Sequence, residues 1–131
     1  MPQQQGFGHV TLTVTDLERS AEFYNRVFGS QTVDSAEDQH GPYIICAGQG
    51  FMVGLRKHQQ TPENDSFHFE RVGLDHMGMH VESKAELEKW QTHFDENRVE
   101  NSGIVESPYG LHLQVKDPDQ IAIELFVPAQ G

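Results

Sequence analysis

Eight histidines and a single cysteine decide which metal chemistry this 131-residue chain can carry. The one thiol, Cys46, excludes a cysteine-cluster metal site and an internal disulfide framework. A metal ion would therefore need nitrogen and oxygen ligands. The candidates are His9, His76 and Glu124, which stand in apolar or alternating stretches. Two imidazoles and one carboxylate suit Fe²⁺, Mn²⁺, Ni²⁺, Co²⁺ or Zn²⁺ and leave coordination positions open for a substrate.

His9 and His76 occupy matching positions of an internal repeat, in which residues 7–56 correspond to residues 74–126. Each histidine opens a run of alternating apolar and polar residues, the pattern of a half-buried β-strand. The match strengthens the metal hypothesis, because a lone histidine on a strand is most often an ordinary polar residue and Glu124 alone could be a solvated charge.

Each opening strand leads into a helix and then into three further strands. Thr15 or Asp16 can cap the first helix, predicted over 17–28, and Ser83 can cap a second helix that ends at about Arg98. The strands predicted after the helices are 31–35, 43–47 and 51–56 in the first repeat and 100–106, 110–116 and 121–126 in the second.

The repeat predicts an α+β fold built from two βαβββ modules within a single domain, residues 1–131. Module one covers 7–56, a polar linker covers 57–72 and module two covers 73–127. A single module leaves one face of its sheet bare. We therefore expect the two modules to form a curved eight-stranded sheet around a shared cavity, with the helices outside.

The net charge and the hydropathy of the chain limit the classes of partner that it can bind. Nine Lys and Arg against twenty Asp and Glu give a formal net charge of −11, which argues against nucleic acid and an anionic membrane surface. No apolar run approaches the length of a membrane span, and the N-terminus lacks the features of a signal peptide. We therefore expect a cytoplasmic protein that acts on a small molecule.

Strand alternation also predicts which side chains line the cavity, since the strongly apolar set of each strand should face its helix. The expected inward residues that carry or border chemistry are His9, Met52, Gly54, Arg56, His76, His80, His112, Gln114, Glu124 and Phe126. For two of these residues the sequence leaves two roles open. His112 is either a pocket acid or base or a plain surface group, and Arg56 either binds a substrate carboxylate or pairs with one of the many acids.

These residues and their motifs resemble the vicinal oxygen chelate superfamily, which includes glyoxalase I, extradiol dioxygenases, fosfomycin-resistance thiol transferases and bleomycin-resistance proteins. The similarity covers about residues 7–127. Its motifs are 8–17 followed by Phe23 and Tyr24, then 74–76, and finally the Asp-Pro-Asp-x-x-x-x-Glu-Leu ending at 117–125. The resemblance implies paired βαβββ modules, one divalent metal ion in the cavity, and a homodimer whose modules can be shared between chains.

Within the superfamily, the resemblance is closest in ligand set to the extradiol dioxygenases, which use two histidines and a glutamate. Glyoxalase I has a second carboxylate where this chain has Gly54. The fosfomycin transferases share the ligand set but need a longer basic C-terminal stretch. Extradiol dioxygenases also use a pocket histidine and tyrosine, roles open to His80, His112 and Tyr109.

The resemblance therefore implies a metal-dependent dioxygenase, or a lyase or isomerase of the glyoxalase type. Its substrate would chelate the metal through two adjacent oxygens, with the metal as Lewis acid. Glu124 would anchor the metal, and Glu124, His80 and His112 are the candidate catalytic residues. The candidate substrate-binding residues are Met52, Arg56, Tyr109, Gln114 and Phe126. The alternative is a protein of the bleomycin-resistance type that sequesters an antibiotic or metabolite without turnover.

Overall fold

The computed structural model describes residues 1–130, which divide into two compact units on either side of the bond between Asp65 and Ser66. Each unit holds one helix and a four-stranded mixed sheet. The predicted α+β class and the twofold βαβββ order are confirmed. Within residues 1–130, no helix has both the length and the apolar character needed to cross a membrane.

The first unit places its opening strand beside its last one, in the sheet order β1-β4-β3-β2. β1 runs parallel to β4, and the other pairs are antiparallel. The Asp16 carboxylate, rather than Thr15, caps the helix by accepting the Arg19 N–H at 3.0 Å. The elements are β1 (Val10–Thr13), α1 (Leu17–Phe28), β2 (Gln31–Asp38), β3 (Gly41–Gly48) and β4 (Phe51–Arg56).

The second unit repeats this topology in the order β5-β8-β7-β6, again with the first and last strands parallel. The Ser83 hydroxyl caps its helix by accepting the Glu86 N–H at 3.2 Å, as the capping-box motif predicts. The elements are β5 (Met77–His80), α2 (Lys84–Glu96), β6 (Val105–Ser107), β7 (Gly110–Lys116) and β8 (Ala122–Pro128).

The helix of the second unit determines which way the residues of β8 point. Leu87 and Phe94 of α2 are fully buried, and so are Ile123 and Leu125 of β8, against which the helix packs. Because side chains alternate along a strand, Glu124 must then point to the opposite face of the sheet. Helix packing thus fixes the direction of the carboxylate that the sequence singled out.

One predicted strand, 100–106, is wrong over most of its length, because only Val105–Ser107 forms β6. Asn101 makes an isolated bridge to Val115, and its side chain accepts the Gly103 N–H at 3.0 Å. Gly103 itself has a left-handed φ of 70°. A side chain that bonds its own backbone, followed by a glycine in this conformation, turns the chain out of the ladder.

A buried aspartate shapes the turn that leads into β8. The Asp117 side chain is 2% exposed, and its Oδ1 accepts the backbone N–H groups of Asp119 and Ile121, each at 2.9 Å. The Asp119 carbonyl in turn accepts the Phe67 N–H at 2.8 Å. Asp117 therefore fixes the point at which the final strand begins, and with it the register of Glu124.

We expect Asp117→Ala to lower the free energy of unfolding by about 2–4 kcal/mol, because it leaves two backbone N–H groups buried without an acceptor. Asp117→Asn should cost less than half as much, since the amide oxygen can still accept both bonds. Urea unfolding of the metal-free protein checks both variants. Equal losses would contradict the role given to Oδ1.

Candidate functional site

A cavity of about 500 Å³ lies in the second unit, on the face of the sheet opposite α2. Its wall combines titratable groups with apolar side chains, which is the usual composition of a small-molecule site. The polar lining residues are His76, His80, His112 and Glu124, and the others are Gly78, Met79, Tyr109 and Phe126.

The pairing of β5 with β8 brings the polar residues together. Gly78 lies directly across from Glu124 in the parallel register. Among residues 1–130, no heavy atom lies within 4 Å of where a Cβ of Gly78 would be. The glycine therefore leaves the space in front of the carboxylate open, with His76 and His80 two positions away on either side of it along the chain.

The Glu124 carboxylate is shared between two imidazoles, and its side chain is only 11% exposed. Its Oε2 lies 2.9 Å from Nε2 of His76, and its Oε1 contacts Nδ1 of His112. The His112 ring in turn packs against the Phe126 ring, with centroids 5.1 Å apart. One nearly buried carboxylate thus connects a histidine on β7 with the histidine that precedes β5.

The other side of the His76 ring also meets a carboxylate. Its Nδ1 lies 2.7 Å from Oδ1 of Asp75. A neutral imidazole carries one N–H, so whichever nitrogen holds the proton, the other nitrogen directs a lone pair at an acceptor oxygen. The two contacts therefore require one more positive group: a further proton, on the ring or on one of the carboxylates, or a cation between His76 and Glu124.

A divalent metal ion fits that requirement. Two ligand atoms bound at right angles, each about 2.1 Å from a metal, lie roughly 3 Å apart, and Nε2 of His76 and Oε2 of Glu124 lie 2.9 Å apart. An imidazole whose second nitrogen faces a carboxylate is also the usual surrounding of a histidine ligand. These two residues supply a nitrogen and an oxygen donor of the type the sequence predicts.

The third predicted ligand stays a prediction. Across residues 1–130, no three His, Cys, Asp or Glu side chains form a ready-made metal cluster. His9 belongs to the first unit, where it is exposed and directly precedes β1. The structure brings His76 and Glu124 together, and it adds His112, which the sequence predicted for the pocket rather than for the metal.

The predicted substrate-binding residues fall into two groups. Tyr109 and Phe126 line the cavity, as does the catalytic candidate His80. Gln114 is exposed on β7, although it pairs with Glu124 across the strands, and Met52 is 40% exposed in the first unit. Neither Gln114 nor Met52 is among the described residues that line this cavity.

Arg56 forms a salt bridge, the second of the two roles that the sequence left open for it. Its guanidinium donates to both carboxylate oxygens of Asp38, at 2.8 and 3.0 Å, and to the Gly41 carbonyl at 3.0 Å. It also lies 4.9 Å from the centre of the Tyr43 ring. The hydrogen bonds from Arg56 lower the pKa of Asp38 below its usual value, so the pair is ionised at neutral pH. A guanidinium engaged in this way is poorly placed to capture a substrate carboxylate.

The sequence alone did not identify two residues of the site, Asp75 and Ser107. Asp75 stands next to His76 in the quoted motif, and this adjacency was a usable signal because a carboxylate often orients a ligand histidine. Ser107 lies 2.5 Å from Nε2 of His112 through its Oγ. It ends β6 just before a tight turn, so no periodic pattern marks it.

Gly54, at the position of the second glyoxalase carboxylate, is packed against a neighbouring strand. It lies across from Thr11 in the parallel register, and a Cβ at this glycine would come 2.9 Å from the Thr11 Oγ1. The second unit has the reverse arrangement, in which Gly78 on the first strand makes room for Glu124 on the last. The first unit therefore has no room for a longer residue here unless Thr11 moves.

Comparisons with known proteins agree with this architecture. A family model described as Glyoxalase/Bleomycin resistance protein/Dioxygenase superfamily matches residues 6–125. The trivalent organoarsenical cleaving enzyme of Bacillus sp. (strain MD1) is 32% identical over 93 residues, covering 71% of this chain and 52% of that protein. The metallothiol transferase FosB of Staphylococcus saprophyticus is 26% identical over 95 residues, covering 72% of this chain and 57% of that one.

The chain thus spans little more than half the length of these two curated relatives. Among solved structures, a glyoxylase/bleomycin resistance protein/dioxygenase domain from Frankia sp. EAN1pec superposes with a TM-score of 0.89 at 27% identity. That match covers 98% of this chain and 96% of the other.

We expect Gly54→Ala to lower the free energy of unfolding by about 1–3 kcal/mol, because the added methyl group overpacks the contact with Thr11. In the double variant Gly54→Ala with Thr11→Ala the overlap is gone. The double variant should therefore lose less free energy of unfolding than the sum of the losses in the two single variants. Urea unfolding of all four proteins measures the coupling, and strictly additive losses would refute the proposed contact.

Proposed function

Because the chain belongs to the Glyoxalase/Bleomycin resistance protein/Dioxygenase superfamily, we propose that it is a divalent-metal-dependent enzyme. Its substrate is a small molecule that offers two neighbouring oxygens to the metal. The observation that carries the proposal is the approach of His76 Nε2 to Glu124 Oε2, 2.9 Å apart at the cavity wall. A cation bound between these two donors would satisfy both of them at this separation.

In this proposal His76 and Glu124 hold the metal ion, and His9 is the third ligand that the family resemblance implies. When bound, the metal supplies Lewis acidity toward the oxygens of the substrate. Asp75 accepts the Nδ1–H of His76 and so leaves Nε2 free to coordinate. His80 lines the same cavity and is the residue we propose to move a proton to or from the substrate.

The apolar part of the cavity defines the body of the substrate. Met79, Tyr109 and Phe126 form that part, which suits a small molecule with an aromatic or aliphatic portion beside its oxygens. We do not propose a trivalent arsenical, although one relative is named for cleaving them. Such soft centres prefer thiolates, whereas Cys46 is fully buried and its burial raises the thiol pKa.

A ligand-sequestering protein is the second candidate function, favoured by the exposure of Tyr109. This side chain is 78% exposed although it borders the cavity, and an apolar ligand would cover it together with Phe126. A metal-free protein that binds a hydrophobic ligand tightly without turning it over would support this alternative.

Homodimer formation is a further expectation, and light scattering during size-exclusion chromatography checks it.

We expect the purified protein to contain about one divalent metal ion per chain, and His76→Ala and Glu124→Gln to lose most of it, because each removes one donor. Elemental analysis by mass spectrometry gives the stoichiometry and the metal. His58→Ala is the matched control, since His58 is an exposed histidine of the first unit. His9→Ala tests the third ligand in the same assay.

Retention of a full complement of metal in both His76→Ala and Glu124→Gln would refute the proposed site. For the loaded protein, oxygen uptake with catechols tests the dioxygenase activity, and isomerisation of a thiol–methylglyoxal adduct tests the glyoxalase type. Blank results in both assays with metal bound would exclude these two reaction types.

We expect Asp75→Asn to weaken metal binding about 10–100-fold, because the amide no longer polarises the His76 ring and does not favour the Nδ1–H form. Competition with a chromogenic chelator measures the dissociation constant. Glu88→Gln, which removes an exposed carboxylate on α2, controls for the change in net charge. Equal affinities in the Asp75 variant and the wild type would show that Asp75 does not orient the ligand.

A further inference from the structure

A chain of hydrogen bonds runs from the β6–β7 turn to the Glu124 carboxylate. The Oγ of Ser107 lies 2.5 Å from Nε2 of His112, and Nδ1 of His112 contacts Oε1 of Glu124. The other carboxylate oxygen, Oε2, faces His76. The His112 ring thus bridges a hydroxyl and a carboxylate, with its side chain 22% exposed.

The hydrogen-bonding capacities along this chain select one tautomer of His112. An ionised carboxylate can only accept, so a neutral ring must carry its proton on Nδ1 and donate it to Glu124. Nε2 is then an acceptor and takes the hydroxyl proton of Ser107. Ser107 remains able to accept as well, and its Oγ receives the Tyr109 N–H at 3.1 Å.

The turn that carries Ser107 is itself held firmly by the backbone. The Ala129 N–H donates to the Tyr109 carbonyl at 2.7 Å. Gly110 has a φ of 143°, and a Cβ there would collide with the Val127 carbonyl oxygen. Glycine at this position lets the turn approach β8 closely, and the Tyr109–Ala129 hydrogen bond holds it there, next to His112.

We propose that Ser107 and His112 are positioning residues that hold Glu124 by one oxygen and direct the other oxygen toward the metal position. Glu124 selects the Nδ1–H tautomer of His112, Ser107 completes the hydrogen bonding of that tautomer by donating to Nε2, and His112 fixes the rotation of the carboxylate. A carboxylate restrained through Oε1 offers Oε2 alone, which favours binding through a single oxygen and leaves more positions for substrate. The metal-related part of this inference rests on the proposed function, and the tautomer does not.

The order serine, histidine, glutamate is also that of a hydrolytic triad. However, Ser107 is not among the described residues that line the cavity. The contacts of its hydroxyl with His112 Nε2 and with the Tyr109 N–H are both to groups of the protein. We therefore assign Ser107 to positioning and not to nucleophilic attack.

Nitrogen-detected histidine spectra of ¹⁵N-labelled, metal-free protein at mildly alkaline pH test the tautomer. We expect His112 to carry its proton on Nδ1, and its Nε2 resonance to move in Ser107→Ala but not in Ser107→Thr, which keeps the hydroxyl. Ser102→Ala is the matched control, because Ser102 bonds the Gln114 N–H beside the same strand. A wild-type His112 protonated on Nε2 would overturn the proposal.

Zn²⁺ titrations of two His112 variants test the effect on the carboxylate. The Nδ2–H of His112→Asn can stand in for Nδ1–H, so we expect it to bind Zn²⁺ within a few-fold of wild type. His112→Ala should bind about 10–100-fold more weakly. Thermal melts of the metal-free variants separate this loss from unfolding.

The outcomes of the titration are distinct. Unchanged affinity in His112→Ala would refute the positioning role, and equal losses in both variants would make His112 a ligand instead. A wild-type protein that binds no Zn²⁺ or other divalent ion would count against the proposed function. The tautomer measurement would still decide whether the hydrogen-bond chain exists.

Discussion

The site depends on one costly feature, a nearly buried carboxylate on a strand that is otherwise apolar. Burying an ionised Glu124 is unfavourable unless hydrogen bonds or opposite charges offset the loss of water. His112 contacts one oxygen and His76 lies 2.9 Å from the other. The rest of the second unit serves this arrangement, since α2 fixes the direction of β8 and Asp117 fixes where β8 begins.

The two units differ at the position that corresponds to this carboxylate, although the fold repeats. In both units a glycine faces a larger residue between the parallel first and last strands. In the first unit the glycine is Gly54 on the last strand, with Thr11 filling the space, whereas in the second it is Gly78 on the first strand, with Glu124 opposite. The position of the glycine thus differs between the two units, with a close contact in the first and open space in the second.

Features governed by local rules could be predicted from the sequence. The caps at Asp16 and Ser83 follow from side-chain chemistry within three residues, and the inward direction of Glu124 follows from the two-residue period of a strand. The repeat related His76 to His9 and predicted the twofold βαβββ order, but not the order of the strands within each sheet. These predictions needed no knowledge of which distant segments meet.

Sequence reasoning missed some features because it overlooked a local signal, and others because they involve pairings that local rules do not determine. Asp38 lies 18 residues from Arg56, and nothing nearby in the chain selects it from the other acids. In the 100–106 segment, predicted as a strand, the Asn101 side chain accepts the N–H of Gly103, and this local turn precedes the short strand that begins at Val105. The partner of Arg56 becomes visible only once the chain is folded, whereas the turn at Asn101 follows a local rule that the predicted strand overlooked.

Ser107 belongs to this second class and shows where the specific chemistry of such a fold resides. A pair of donors like His76 and Glu124 can serve many reactions, so the pair alone does not choose one. What differs between proteins with a common ligand set is how each donor is restrained and what stands beside the open positions. In the arrangement proposed above, the Ser107 hydroxyl at the end of β6 restrains Glu124 through His112, while Phe126 packs on that same ring and lines the cavity. A change at the turn would therefore reach the carboxylate and the substrate wall together, which makes the β6–β7 turn a place where this fold can be tuned without altering a ligand.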